Sequence, residues 1–168
     1  FSPVMPEVAR FAEAGGPVLG ICNGFQILCE AHLLPGALLR NRGLKFICRD
    51  VALRVETDRC QWLDLPKGSI VRVPINHNEG NYTCDADTLE RLKANDQIVV
   101  RYCEADGSSL PGGSAPNGAI DDIAGICNER GNVFGLMPHP ERVVDPALGG
   151  TDGRAFFTSI IERMAGVA

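Results

Sequence analysis

The sequence predicts an α/β fold, a doubly wound and mostly parallel sheet flanked by helices with a β-rich middle segment, and three observations carry that expectation. An apolar run, Pro17-Val18-Leu19-Gly20-Ile21, stops at Cys22 and gives way at once to a helical pattern, Phe25-Gln26-Ile27-Leu28. A buried strand feeding straight into a helix is the repeating step of layered α/β architecture. Strand-like alternation then fills the centre of the chain, and amphipathic helical patterns stand at both ends. With 168 residues, no repeat and no linker-like stretch, the chain is expected to build one domain over 1–168.

Each element has a local reason. Ser2-Pro3 reads as the N-cap and first-turn proline of a helix over 3–14, with Val4, Val8, Phe11 and Ala12 on one face and Gly15-Gly16 as its stop. The strand 17–21 and the helix from Phe25 follow, and Pro35-Gly36 turns the chain into its β-rich part. Phe46–Val55 and Ser69–Ile75 contain strand-like alternation, and Ile98–Tyr102 is another strand. Asp85 caps a short helix that runs through Leu89 and Leu92. Gly107–Gly118 is rich in Gly, Ser and Pro but lacks the lysine of a phosphate-binding loop, so a flexible connection is expected there. Glu129-Arg130-Gly131-Asn132 lies between two apolar runs and reads as a hairpin turn. Thr151 or Asp152 caps a last amphipathic helix through Met164.

Composition narrows the function. A net charge of −5 with scattered arginines, and no basic stripe interleaved with aromatics, argues against nucleic-acid binding. No apolar run approaches membrane-spanning length. Seven cysteines without a Cys-x-x-Cys pair, and without histidines at ligand spacing, fit neither a disulfide framework nor a zinc site. No metal and a reducing cytoplasm are expected, with Cys29, Cys48, Cys60, Cys84, Cys103 and Cys127 as small apolar residues or inert thiols.

Cys22 is the exception, because Gly20-Ile21-Cys22-Asn23-Gly24 places it at the strand-to-helix switch. A chain that turns so sharply holds its central side chain out over the sheet end, and glycines at 20 and 24 are expected to make room for the turn. The helix N-terminus is expected to lower the thiol pKa. A cysteine nucleophile needs a base, and only three histidines are available. His32 follows the elbow helix and reads as a cap of its end, whereas His77 sits in the polar turn Asn76-His77-Asn78-Glu79-Gly80. His139 follows the strand Val133–Met137 and is held between Pro138 and Pro140, with Glu141 two residues on to accept a ring N–H. Cys22 as nucleophile, His139 as base and Glu141 as orienter make a cysteine version of the hydrolase triad.

Gly20-x-Cys22-x-Gly24-x-Gln26 with the distant His139-Pro140-Glu141 resembles the class I glutamine amidotransferases. The run Ala124–Arg142, the segment Leu34-Pro-Gly-Ala-Leu-Leu-Arg-Asn41 with Leu44-Lys-Phe46, and Asn76-His77 with Glu79-Gly80 resemble one branch, which works as a glutaminase subunit in purine biosynthesis. That resemblance implies a flavodoxin-like fold and hydrolysis of glutamine. It implies an oxyanion held by the Asn23 N–H, and glutamine contacts from Gln26, Asn78 and Glu79. It further implies delivery of ammonia to a partner ATP-dependent synthetase, with a small accessory subunit, and with ATP and magnesium on the partner rather than any cofactor on this chain. Family members carry an N-terminal glycine-rich loop that supplies the second oxyanion N–H, and nothing in residues 1–19 matches it. The domain is therefore expected to be N-terminally incomplete. Another class I amidotransferase or cysteine hydrolase, and a catalytically silent regulatory subunit, stay as alternatives.

Overall fold

The computed structural model describes residues 2–60 and 63–165, so the expected domain 1–168 reaches at each end beyond the described residues. In chain order the elements are α1 (Met5–Glu13), β1 (Val18–Ile21), α2 (Asn23–Glu30), β2 (Ala37–Leu39), β3 (Ile47–Val55), β4 (Ile70–His77), β5 (Asn81–Thr83), α3 (Ala86–Ala94), β6 (Ile98–Cys103), β7 (Ile123–Cys127), β8 (Val133–Leu136) and α4 (Ala155–Met164). Six strands form one sheet in the order β1-β8-β7-β6-β3-β4, and β2 pairs with β5 in a separate ribbon.

The sheet is mixed, which corrects the expectation of a mostly parallel one. Only β1 and β8 run parallel; the β8–β7, β7–β6, β6–β3 and β3–β4 pairs are antiparallel. The turn 128–132 between β7 and β8 is too short for a crossover and can only fold the chain back on itself. The core lies along the inner strands, where Val99, Val100, Ala124, Ile126 and Cys127 are fully buried.

Three local expectations shift. Helix α1 begins at Met5 with Pro6 in its first turn and has no side-chain cap, so Ser2-Pro3 precedes the helix instead of capping it. Its stop is as expected, with the Gly16 N–H bonded to the Phe11 carbonyl. Asp152 does not cap α4 directly: it begins a 3₁₀ turn, Asp152–Arg154, and its carboxylate accepts the Arg72 N–H at 2.8 Å, tying that turn to β4. The connection 104–119 is anchored at its far end, where Ala115, Asn117 and Ala119 are buried.

The β1 side of the molecule is the least covered. Among the described residues β1 pairs with β8 alone, and Val18, Leu19 and Ile21 are only half-buried. On α1 the expected apolar face is mostly in solvent: Val4 and Phe11 are more than half exposed and only Ala12 is buried.

Candidate active site

The strand-to-helix elbow forms as its sequence demands. Cys22 has φ 52° and ψ −106°, a left-handed backbone that non-glycine residues adopt only under constraint. The constraint comes from both sides: the Cys22 N–H is bonded to the Leu136 carbonyl of β8, and its carbonyl accepts from Phe25 and Gln26 of α2. Gly20 is required for close approach, since a Cβ there would lie 2.7 Å from the carbonyl carbon and oxygen of Gly24 and 2.5 Å from Leu28 Cδ1. At Gly24 itself a Cβ would meet no described atom within 4 Å, so the steric need lies at Gly20 and not equally at both glycines.

His139 is fixed by its backbone before its ring is considered. Its N–H donates to the Pro74 carbonyl of β4 at 2.8 Å, and Pro140 starts a 3₁₀ turn, Pro140–Arg142. The imidazole is buried; Nδ1 lies 2.5 Å from Glu141 Oε1, and Nε2 has no hydrogen-bond partner among the described residues. A carboxylate accepts, so it holds the ring proton on Nδ1 and leaves the Nε2 lone pair bare, as a general base requires.

A cavity of about 440 Å³ brings most of the expected groups together: Cys22, Asn23, Gln26, Asn78, Glu79 and His139 all line it. Glu141 lies behind His139 and does not line this cavity. The volume falls in the range of small-molecule sites. His77 lines the same space but belongs to β4 as its last residue, not to a turn beyond the strand, and it is buried. His32 is elsewhere, with a left-handed backbone two residues past the end of α2 and one past its C-cap Ala31, as the capping reading expects. A larger cavity of about 730 Å³ lies near β3, β4 and β6, with no histidine in its wall. Among the described residues no three His, Cys, Asp or Glu side chains converge as metal ligands.

Electrostatics correct one expectation. Burial pushes the Cys22 thiol above its ordinary pKa; the Asn23 N–H and Arg142 oppose this, and Glu141 adds to it. The helix N-terminus therefore does not win over desolvation, and the resting group is the thiol. For Cys22 to act as the expected nucleophile, a neighbouring base has to take that proton. Burial and His139 together lower His77 to about 4, which keeps that imidazole neutral. Cys29 and Cys127, pushed up to about 12 by burial, are inert thiols as expected.

Gln26 is placed differently from a free substrate ligand. Its Nε2 donates to the Glu79 carbonyl at 3.0 Å, so its amide already bridges α2 to the turn after β4. Two residues that sequence reading passed over hold that turn from below. Fully buried Asn41 donates to the carbonyls of His77 (2.9 Å) and Lys45 (2.8 Å) and accepts the Gly80 N–H. Fully buried Asn117 reaches Gly80 O, Tyr102 Oη and His77 Nε2. The only advance signal was Asn41 in the segment ending Leu-Arg-Asn; Asn117 sits in a stretch whose composition reads as a loose loop.

A sequence profile of the CobB/CobQ-like glutamine amidotransferase domain matches residues 2–149. The phosphoribosylformylglycinamidine synthase subunit PurQ of Salinibacter ruber is 52% identical, with 100% of this chain and 72% of that protein covered. The protein of the same name from Koribacter versatilis is 56% identical over 98% of this chain and 71% of that protein. The solved structure of PurLQS from Thermotoga maritima contains a chain 42% identical to this one, with a TM-score of 0.79 over 96% of this chain and 68% of that one. A glutamine amidotransferase from Thermotoga maritima, 16% identical with a TM-score of 0.52 over 95% of this chain and 67% of that one, shares the fold.

Proposed function

This chain belongs to the CobB/CobQ-like glutamine amidotransferase family, and from that premise we propose that it is the glutaminase component of phosphoribosylformylglycinamidine synthase in purine biosynthesis. It hydrolyses glutamine and passes the ammonia to a partner ATP-dependent synthetase, alongside a small accessory subunit; ATP and magnesium act on the partner. The relation to the Thermotoga maritima PurLQS assembly supports those partners. The observation that carries the site is one cavity walled by Cys22, on its strained elbow, and by His139, with Glu141 on Nδ1 and an unclaimed Nε2.

The reaction follows from what these groups can do. His139 Nε2 takes the Cys22 thiol proton as Sγ attacks the side-chain amide carbon of glutamine, and the carbonyl becomes a tetrahedral oxyanion that the Asn23 N–H stabilises. Glu141 stabilises the imidazolium so formed. His139 then gives its proton to the departing nitrogen; ammonia leaves and a thioester remains. Water, deprotonated by the same Nε2, attacks the thioester, the C–S bond breaks and glutamate leaves with the thiol restored. Glutamine lies against Asn78 and Glu79, with Gln26 holding that turn in place.

The half-buried apolar residues of β1, its edge left unpaired among the described residues, and exposed Val4 and Phe11 fit a domain completed by a further segment along β1. That segment supplies the second oxyanion N–H. The free thiols at Cys22, Cys29, Cys48, Cys84, Cys103 and Cys127 suit a reducing cytoplasm, and among the described residues no helix is long and apolar enough to cross a membrane.

The test uses the assembled synthase. Cys22→Ala abolishes glutamine-dependent synthesis and spares synthesis from added ammonia, because the synthetase site is on the partner. Loss of both in an intact assembly, or survival of glutamine-dependent synthesis, overturns the assignment.

A further inference from the structure

Two imidazoles line the cavity around Cys22, yet a thiol that gives up its proton needs one defined acceptor. We propose that Asn117 is a positioning residue that makes this choice, fixing His77 as the neutral Nδ1–H tautomer and so leaving His139 as the only base of the site.

The geometry is specific. Asn117 is fully buried, and its Oδ1 accepts the Ala119 N–H at 3.1 Å, which sets the orientation of the amide. Its Nδ2 then faces Gly80 O at 2.7 Å, Tyr102 Oη at 3.0 Å and His77 Nε2 at 3.3 Å; one of its two N–H groups goes to Gly80 O, and the other is shared between Tyr102 Oη and His77 Nε2. An amide nitrogen donates and never accepts, so the imidazole nitrogen turned toward it is the one with the lone pair. The ring proton is therefore on Nδ1, which is buried and has no hydrogen-bond partner among the described residues; the other tautomer would leave that same atom unpartnered and set two donors face to face as well. Gly80 makes the arrangement possible: a Cβ there would come within 2.1 Å of His77 Nε2, so only glycine lets the ring press edge-on against the turn.

Protonating His77 would set an Nε2–H against the Asn117 N–H, donor against donor. Little compensates for it. The titratable groups sharing the cavity are Cys22, His139, Glu79 and Arg142, with Tyr102 behind Asn117. Of these only Glu79 is a carboxylate, and its half-exposed side chain lies 3.9 Å from Arg40. The lowering of His77 to about 4 agrees. With Nε2 covered and Nδ1 already protonated, His77 offers no site for the thiol proton, which goes instead to His139 Nε2 with Glu141 behind it. This last consequence rests on the roles proposed above for Cys22 and His139; the tautomer of His77 does not.

The experiment is nitrogen-15 NMR of the histidine rings in the protein, with His77 assigned by comparison with His77→Gln. Neutral His77 with its proton on Nδ1 from pH 8 to pH 5 is expected. An Nε2–H tautomer, or a titration midpoint near the ordinary 6.5, overturns the proposal without need of a further variant. In Asn117→Asp a carboxylate replaces the donor, and His77 should now carry a proton on Nε2 and titrate at higher pH. The same variant in the assembled synthase should lose glutamine-dependent rate, with the acid limb of its pH profile moved upward, while ammonia-dependent synthesis stands. Asn117→Leu, which removes the donor without adding charge, should free the tautomer but leave the acid limb in place. A shifted tautomer with an unchanged glutamine-dependent profile in Asn117→Asp overturns the link to catalysis. Failure of the Cys22→Ala test, by contrast, overturns the functional reading and leaves the tautomer result intact.

Discussion

Glu141→Gln separates orienting the base from doing the chemistry. In the wild type Glu141 Oε1 lies 2.5 Å from His139 Nδ1 and 3.8 Å from Arg142 Nε, so the same oxygen faces two donors. A glutamine is expected to keep its amide oxygen in that position and its NH₂ on the far side, which preserves the Nδ1–H tautomer. What disappears is the negative charge that stabilises the imidazolium once His139 has taken the thiol proton. A hydrogen bond to a charged group is worth about 1.5–3 kcal/mol. The Glu141 side chain is 42% exposed, and solvent screening moves the value toward the lower end of that range. The expected loss in glutamine-dependent kcat/KM is thus about ten- to thirtyfold, at roughly 1.4 kcal/mol per decade. The assay is glutamine-dependent synthesis by the assembled complex, with ammonia-dependent synthesis as the internal control. A loss as large as that of Cys22→Ala would mean that the tautomer had been lost or that Glu141 reacts itself. No loss at all would mean that the contact is structural only.

Three further outcomes are expected. Gly20→Ala should lower the melting temperature, because the new Cβ meets the Gly24 backbone at 2.7 Å and backbone cannot give way as a flexible side chain can; overpacking of this kind costs about 1–3 kcal/mol, measured by thermal unfolding. His77 is held neutral with its pKa lowered from 6.5 to about 4, so the unfolded chain binds the extra proton first: the contribution to stability is complete above pH 6.5 and lost as pH falls through 4. His77→Gln should flatten that part of the stability profile, and an equal slope in both proteins would contradict the assignment. Along β1, the amides that are not bonded to β8 should exchange with solvent faster than those that are, and equal protection would mean that another strand pairs along that edge.

What could be read from the sequence was whatever a few neighbouring residues decide among themselves. The elbow needs a strand, a glycine and a helix start within a few residues, and the His139 clamp needs two flanking prolines and a carboxylate two positions on; both are present in the chain as written. Strand direction was not legible. β6 and β7 are apolar almost throughout because both faces are covered, a pattern usual for parallel strands, yet they pair antiparallel. Such runs report burial, and direction is set by the connections.

The sign of the Cys22 shift was hidden for a related reason. The helix N-terminus is a local feature and can be seen in the sequence, whereas the desolvation that outweighs it comes from walls supplied by distant segments. The same holds for Asn41 and Asn117, whose partners lie on other elements: nothing local separates a fully buried, triply engaged asparagine from one in an open loop. Their placement has a functional logic. A turn that must present backbone and side chains to a substrate cannot spend those groups on pairing with a neighbouring strand, so its inner polar atoms have to be satisfied from behind. Two buried amides, each able to donate and accept at once, do this without adding a charge beside the Cys22 cavity. The turn 78–80, and with it the proposed choice of base, is thus held by two residues that do not line the Cys22 cavity.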